Sequence, residues 1–187
     1  MSAEDRVRWD KIYRQRARDP YPSPNPLLLQ FTPAVTEGDT CRALDLAGGM
    51  GQNALWLAAQ GYTVDLMDIS RVGLQRARTE MTIHNLRTVN LLQIDVDGIQ
   101  LEVNIYDLIT VTHYLKRDLF PTIIKATKSG GRIIYDTFNI RYLELVPEFN
   151  RAFLLAIGEL QSYFSQWDIL HYEEDDHNSR IIAVKPR

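Results

Sequence analysis

The sequence predicts an open, mostly parallel α/β sheet with helices on both faces and an antiparallel hairpin strand at its C-terminal edge. Three observations carry this expectation. From residue 42 onward short apolar runs alternate with longer amphipathic stretches, which is the pattern of strand–helix–strand units. Glycine or a capping residue separates the runs, and the last two flank a polar turn. The composition agrees: 187 residues, 45% hydrophobic and 24% charged, suit one globular domain with a substantial core.

The elements follow in order. Residues 4–18 read as an amphipathic helix with Trp9, Ile12 and Tyr13 on one face. Pro20-Tyr21-Pro22-Ser23-Pro24-Asn25-Pro26 forces an extended connection, and a short helix over 27–31 follows. A strand over 42–46 leads into a glycine loop and a helix over 51–60 that Gly61 stops. The next strand is 62–67, and Ser70 caps a helix reaching residue 84. Strands over 89–94 and 105–111 come next, then a helix over 115–127 distorted by Pro121. Ser129-Gly130-Gly131 reads as a turn into a strand over 132–136, and 149–164 carries helical pattern. Runs 167–172 and 180–184 flank Asp175-Asp176-His177-Asn178-Ser179 as a hairpin, which brings the strand total to seven.

Composition excludes several classes. Cys41 is the single cysteine, so no intrachain disulfide forms. The opening residues lack a secretory pattern and no run approaches the ~20 apolar residues of a membrane span, so a cytoplasmic protein with no membrane partner is expected. A net charge of −3 disfavours nucleic acid as the partner. The basic run Arg6, Arg8, Lys11, Arg14, Arg16, Arg18 and the acidic run 173–176 read first as solvated faces. The basic run is also a candidate attractor of an oxyanion. His84, His171, His177 and Cys41 are too scattered for a metal site.

Ligands of open α/β sheets bind beyond the carboxyl ends of the strands, and three features fall there. The loop Asp45-Leu46-Ala47-Gly48-Gly49-Met50-Gly51 allows close backbone approach and opens a helix with free N–H groups. Asp68 ends the second strand, where a carboxylate can accept both hydroxyls of a ribose. Asp95, just past the third, can accept an adenine amine. These describe an adenosine-containing cofactor. Gly49-Met50-Gly51-Gln52-Asn53-Ala54 also fits the dinucleotide pattern, with an acid 19 residues after Gly49. Asp45 favours the other reading, because a carboxylate there suits a methionine ammonium better than a pyrophosphate.

The run Ala43-Leu44-Asp45-Leu46-Ala47-Gly48-Gly49-Met50-Gly51-Gln52-Asn53-Ala54-Leu55-Trp56-Leu57-Ala58 resembles the first motif of class I S-adenosylmethionine-dependent methyltransferases. Tyr62 to Ser70, Tyr106-Asp107-Leu108-Ile109, the stretch 129–138 and the opening Trp9-Asp10-Lys11-Ile12-Tyr13 extend the likeness to the small tellurite-resistance and thiopurine-type bacterial branch. The resemblance implies a Rossmann-like domain over 1–187, with 1–35 as an N-terminal helix and lid segment and 40–187 as the core. It implies S-adenosyl-L-methionine as cofactor, S-adenosyl-L-homocysteine as product and a small-molecule methyl acceptor.

Carried over residue by residue, Asp45, Gly49 and Gly51 border the methionine part, while Asp68 and Ile69 hold the ribose and flank the adenine; Ala47, Gly48, Asn53 and Ser70 are further cofactor-binding candidates. Asp95 and Val96 contact the adenine, and Thr110, Val111, Thr112 and His113 face the methyl group. Trp9 and Tyr13 resemble the lid. The chain departs from the family at Ala47, where glycine is usual, and at Gly48. Methyl transfer from a sulfonium chiefly needs alignment. A soft nucleophile such as a thiol or metalloid oxyanion needs no protein base, whereas an oxygen or nitrogen nucleophile would use His113 or Asp136. The competing readings are a catalytically silent S-adenosylmethionine-binding module and an NAD(P)-dependent oxidoreductase.

Overall fold

The computed structural model describes residues 3–175 and 177–187. Seven strands form one sheet in the order β3-β2-β1-β4-β5-β7-β6, mostly parallel, with helices packed around it. The chain divides into two compact units, Met1–Ile99 and Gln100–Arg187.

The first unit opens with helix α1, Ala3–Gln15, none of whose residues is buried. Helix α2, Pro26–Phe31, starts where its sequence dictates: the Asn25 side chain accepts from the Leu27 N–H at 2.9 Å, and proline occupies the first turn. Strand β1, Arg42–Leu46, pairs in parallel with β2, Thr63–Asp68, which pairs in parallel with β3, Val89–Gln93. β1 and β2 are buried nearly throughout, their aspartates Asp45, Asp65 and Asp68 included, whereas β3 is largely exposed and forms the edge. Helix α3, Gln52–Ala59, packs on β1 and β2; helix α4, Arg71–Ile83, packs on β2, β3 and α3, and α1 lies against α4.

The second unit contains β4, Tyr106–Thr112, parallel to β5, Thr127–Phe138. Between them runs α5, Phe120–Ala126. After β5 come a short α6, Glu159–Tyr163, then β6, Asp168–Glu174, and β7, Asn178–Val184. β7 is antiparallel to both β5 and β6, so the expected hairpin adds two strands, with the second one inserted beside β5. Asp175 shapes the hairpin turn by accepting from the N–H groups of His177 (3.0 Å) and Asn178 (2.7 Å). Asp176, which belongs to the expected turn, lies outside the described residues.

Three sequence expectations need correction. The helix expected over 115–127 is a 3-10 turn, Arg117–Leu119, followed by α5, because Pro121 lacks an N–H and fits only the first turn of a helix. Ser129-Gly130-Gly131 does not precede β5 but bulges within it: Tyr106 faces Thr127, and Leu108 already faces Arg132. Gly130 has φ 78°, and a Cβ on Gly131 would lie 3.0 Å from the Tyr106 carbonyl oxygen. The helical pattern over 149–164 yields a 3-10 turn, Arg151–Phe153, an extended stretch and only then α6. Leu154 and Leu155 are buried in the extended stretch, and Leu155 bridges to Asn139, so packing overrides the local periodicity.

Candidate cofactor and acceptor sites

The glycine loop after β1 is shaped around a carboxylate. Ala47, Gly49 and Gly51 all have positive φ, at 54°, 60° and 82°. A Cβ on Gly48 would run into the Asp45 carboxylate and Leu66, and one on Gly49 into the Tyr13 hydroxyl. One on Gly51 would lie 2.6 Å from Leu66. Only glycine fits at 48, 49 and 51, because the backbone there passes directly over other groups.

Asp45, at 0% exposure, is enclosed by this turn. Its Oδ2 accepts from the Ala54 N–H at 3.1 Å, in the first turn of α3, while Oδ1 has no hydrogen-bond partner. Burial is the main cause that pushes its carboxyl up to about 7; nearby Asp68 adds to the shift, and the hydrogen bonds from Ala54 and Asn53 oppose it. The Asn53 side chain also accepts from the Asn25 N–H at 2.9 Å, which ties the proline-rich connection to the start of α3.

Asp68, at the end of β2, fastens the loop. Its Oδ2 accepts from the Gly49 N–H at 2.8 Å and its Oδ1 from the Ser70 N–H at 2.7 Å. Burial raises its pKa, and these two bonds pull against that. Ser70 Oγ caps α4 by accepting from the Gly73 N–H at 3.1 Å, and donates to Asp10 Oδ1 of α1 at 2.6 Å. The same Asp10 oxygen accepts from the Val72 N–H at 3.1 Å. Trp9 stacks on Tyr13 with ring centroids 5.8 Å apart, and Tyr13 covers Gly49. Two ties hold the next segment: Tyr21 donates to the Met50 carbonyl at 2.7 Å, and Arg76 donates to the Ala17 carbonyl at 2.7 Å.

Beyond β2 and β3 an open cleft of about 470 Å³ is lined by Ala3, Arg6, Ile69, Gln93, Ile94 and Asp95. Ile69 and Asp95, both expected against an adenine, thus share one cleft. Asp95 is exposed, and its Oδ1 accepts from the Asp97 N–H at 2.9 Å. The Val96 side chain is fully buried and does not line the cleft.

In the second unit, Val111 and Thr112 close β4, and His113 follows with φ 53°, a left-handed conformation rare for a residue with a side chain. Its N–H donates to the Asp136 carbonyl at 2.7 Å. The imidazole stacks on Phe138 with centroids 4.7 Å apart and an interplanar angle of 2°; Phe138 in turn stacks on Tyr142 at 4.1 Å, and Phe149 meets both edge-on. His113 is exposed, and among the described residues its ring nitrogens take no hydrogen bond or ion pair. Asp136, the other candidate base, accepts from Asn178 Nδ2 at 2.7 Å and pairs with Arg180 at 3.3 Å. It is occupied structurally. Among the described residues no three His, Cys, Asp or Glu side chains stand together as a metal ion would require.

Comparison with known proteins fixes the family. The sequence model described as tellurite resistance protein TehB matches residues 29–180, most of the chain. This chain belongs to the TehB family. A curated relative, the probable S-adenosyl-L-methionine-dependent methyltransferase TehB of Haemophilus influenzae, is 29% identical over 160 residues, covering 78% of this chain and 54% of its own length. The chain therefore spans about half the length of the curated TehB relatives it matches. The crystal structure of TehB from Haemophilus influenzae superposes with a TM-score of 0.66 at 21% identity, covering 85% of this chain and 65% of that one. Phosphoethanolamine N-methyltransferase 2 of Haemonchus contortus, solved with S-adenosyl-L-methionine, gives a TM-score of 0.74 at 18% identity over 95% of this chain and 57% of its own. At these identities the structures show a shared Rossmann-like methyltransferase fold.

Within this TehB-family chain the first unit brings together Tyr13, Asp45, Gly48, Gly49, Gly51, Asn53, Asp68 and Ser70 around one loop, with Trp9 stacked on Tyr13. Asp10 and Arg6 are the residues the sequence reading misses. Asp10 carries a readable signal: it is the one acid between Arg6 and Arg18, three residues before Tyr13.

Proposed function

We propose that this chain is an S-adenosyl-L-methionine-dependent methyltransferase acting on a small molecule, working as one domain over 1–187 with its first 35 residues as helix and lid. The observation that carries the reading is Asp45: a fully buried carboxylate with one unpartnered oxygen, wrapped by a turn in which a Cβ at 48, 49 or 51 would clash. Leaving such an oxygen without a partner costs free energy, and a cationic ammonium is the group that would offset it. A pyrophosphate would meet repulsion there. The residues present thus fit the methyl donor and not a dinucleotide.

In this reading Asp45, Gly49, Gly51 and Asn53 hold the methionine part, with Ala47 and Gly48 setting the turn. Asp68 offers the remaining lone pairs of its two oxygens to the ribose hydroxyls. Ile69 and Asp95 take the adenine in the cleft they share, and Arg6 lines it from α1. When bound, the cofactor supplies an electrophilic methyl group on a sulfonium. The chain's own work is alignment, exclusion of water by Trp9 and Tyr13, and placement of the acceptor after β4 by Val111, Thr112 and His113. For an oxygen or nitrogen acceptor His113 suits proton removal, because stacking fixes its ring while its nitrogens stay uncommitted; a soft acceptor needs no such base. A thiol or a metalloid oxyanion is the acceptor class proposed, in keeping with the family's name.

The reading predicts saturable binding of S-adenosyl-L-methionine and S-adenosyl-L-homocysteine by titration calorimetry and labelled methyl transfer in a screen of thiols, metalloid oxyanions and phenols. Folded protein that binds neither nucleoside would overturn it. Binding without turnover across the whole screen would instead support a silent binding module.

A further inference from the structure

We propose that Asp10 is a positioning residue that sets how long the cofactor stays bound, by latching α1 over the glycine loop. The proposal rests on the methyltransferase reading above. Helix α1 buries none of its residues and is dominated by charged and polar side chains. A helix of that length is marginal in water without tertiary contacts, so its position depends on a few attachments.

Those attachments form a closed circuit. Asp10 Oδ1 accepts from Ser70 Oγ (2.6 Å) and from the Val72 N–H (3.1 Å). The Ser70 N–H donates to Asp68 Oδ1 (2.7 Å), and Asp68 Oδ2 accepts from the Gly49 N–H (2.8 Å). Gly49 lies directly beneath the Tyr13 hydroxyl, which returns the circuit to α1 one turn after Asp10. The carboxylate that would receive the ribose therefore lies in the path joining the two α1 attachments. By linkage, if holding α1 in place steadies a ligand on Asp68, the ligand steadies α1 by the same free energy.

The chemistry of Asp10 suits a latch. A carboxylate facing the first turn of α4 is favoured by the helix dipole. Its partial burial opposes ionisation, but the bonds from Ser70 and Val72, with Arg14 and Arg6 nearby, outweigh that and hold its carboxyl below the usual range. The latch is thus charged at neutral pH, and Asp10→Asn should weaken it less than Asp10→Ala.

The test uses the full chain and S-adenosyl-L-homocysteine. Release is followed by stopped flow on tryptophan fluorescence, with Trp9 on α1 as a reporter, and α1 detachment by trypsin cleavage after Arg14, Arg16 and Arg18. Hydrogen bonds to a charged acceptor correspond to about tenfold or more in an equilibrium constant. Asp10→Ala should therefore release the nucleoside about tenfold faster, with association little changed, and the nucleoside should no longer protect the three arginines. Asp10→Asn should fall between. A merely structural role would lower the melting temperature and leave release and protection as in the wild type. Release within twofold of wild type in Asp10→Ala overturns the latch; should that variant not fold, unchanged release in Asp10→Asn overturns it. Wild-type protein that binds no nucleoside fails the methyltransferase reading and the latch together, whereas binding with unaltered release fails the latch alone.

Discussion

Replacing Asp45 with asparagine keeps an acceptor for the Ala54 N–H and removes a charge from a fully buried position. In the folded chain the Asp45 carboxyl titrates near 7, against an ordinary 3.8. That gap of about 3 units corresponds to about 4 kcal/mol. The sign follows from proton binding. Below about pH 4 folded and unfolded chains both hold the proton, and the group is neutral to folding. Between pH 4 and 7 the unfolded chain has lost it while the folded chain retains it, so stability falls as pH rises. Above 7 the loss is complete. Asparagine does not titrate, so the stability difference between variant and wild type should grow in the variant's favour by about 2–3 kcal/mol from pH 5 to pH 8. Its amide NH2 would replace the unpartnered oxygen, and an unsatisfied buried donor costs about 1–3 kcal/mol at every pH. Urea unfolding without ligand, repeated across that range, measures the difference. The same variant should bind S-adenosyl-L-methionine at least about tenfold more weakly, since the ammonium loses its counter-charge. Parallel stability curves for variant and wild type between pH 5 and 8 would refute the account of Asp45 as a strained buried carboxylate.

Three further outcomes are expected. Ala47→Gly should raise stability by about 1 kcal/mol in thermal unfolding, because Ala47 sits at φ 54°, where a Cβ is unfavourable. Gly48→Ala should lower the melting temperature by several degrees and abolish nucleoside binding, because the new methyl group meets the Asp45 carboxylate and Leu66 with nowhere to shift. With an oxygen or nitrogen acceptor, His113→Ala should reduce turnover by about 10²-fold or more while leaving the cofactor Kd unchanged by calorimetry; with a thiolate acceptor the turnover should barely change.

The proposed donor half of the site is legible in the sequence because local chemistry fixes it. Asp45, Gly48, Gly49 and Gly51 lie within seven residues, and their backbone geometry follows from the turn they make. Asp68 and Ser70 are likewise legible, since the cap that starts α4 is a two-residue signal at the end of an apolar run. Strands β1 and β2 read correctly for a related reason: each gathers its apolar residues into a short buried run, with Asp45 and Asp68 at or beside its carboxyl end. Asp10 stands apart from these. Its partners are 60 and 62 residues away in sequence, so its local signal, one acid between Arg6 and Arg18, does not say what it binds.

The proposed acceptor half is less legible because tertiary packing, not periodicity, shapes it. Residues 149–164 have a helical pattern, yet burying Leu154 and Leu155 and bridging Asn139 holds part of the stretch extended. Gly130 and Gly131 read as punctuation, but they bulge inside β5, where the ladder with β4 jumps from Thr127 to Arg132. His113 shows the consequence for function. Its place at the end of β4 is readable, but its value as a base depends on two things the sequence does not display: the left-handed backbone that turns it out of the strand, and the Phe138–Tyr142 stack that fixes its ring. Asp136, equally eligible on sequence, is already engaged by Asn178 and Arg180, which come from a strand more than forty residues later. Of the two candidate bases, the C-terminal hairpin engages Asp136 through Asn178 and Arg180, and this is what favours His113 in the proposed mechanism.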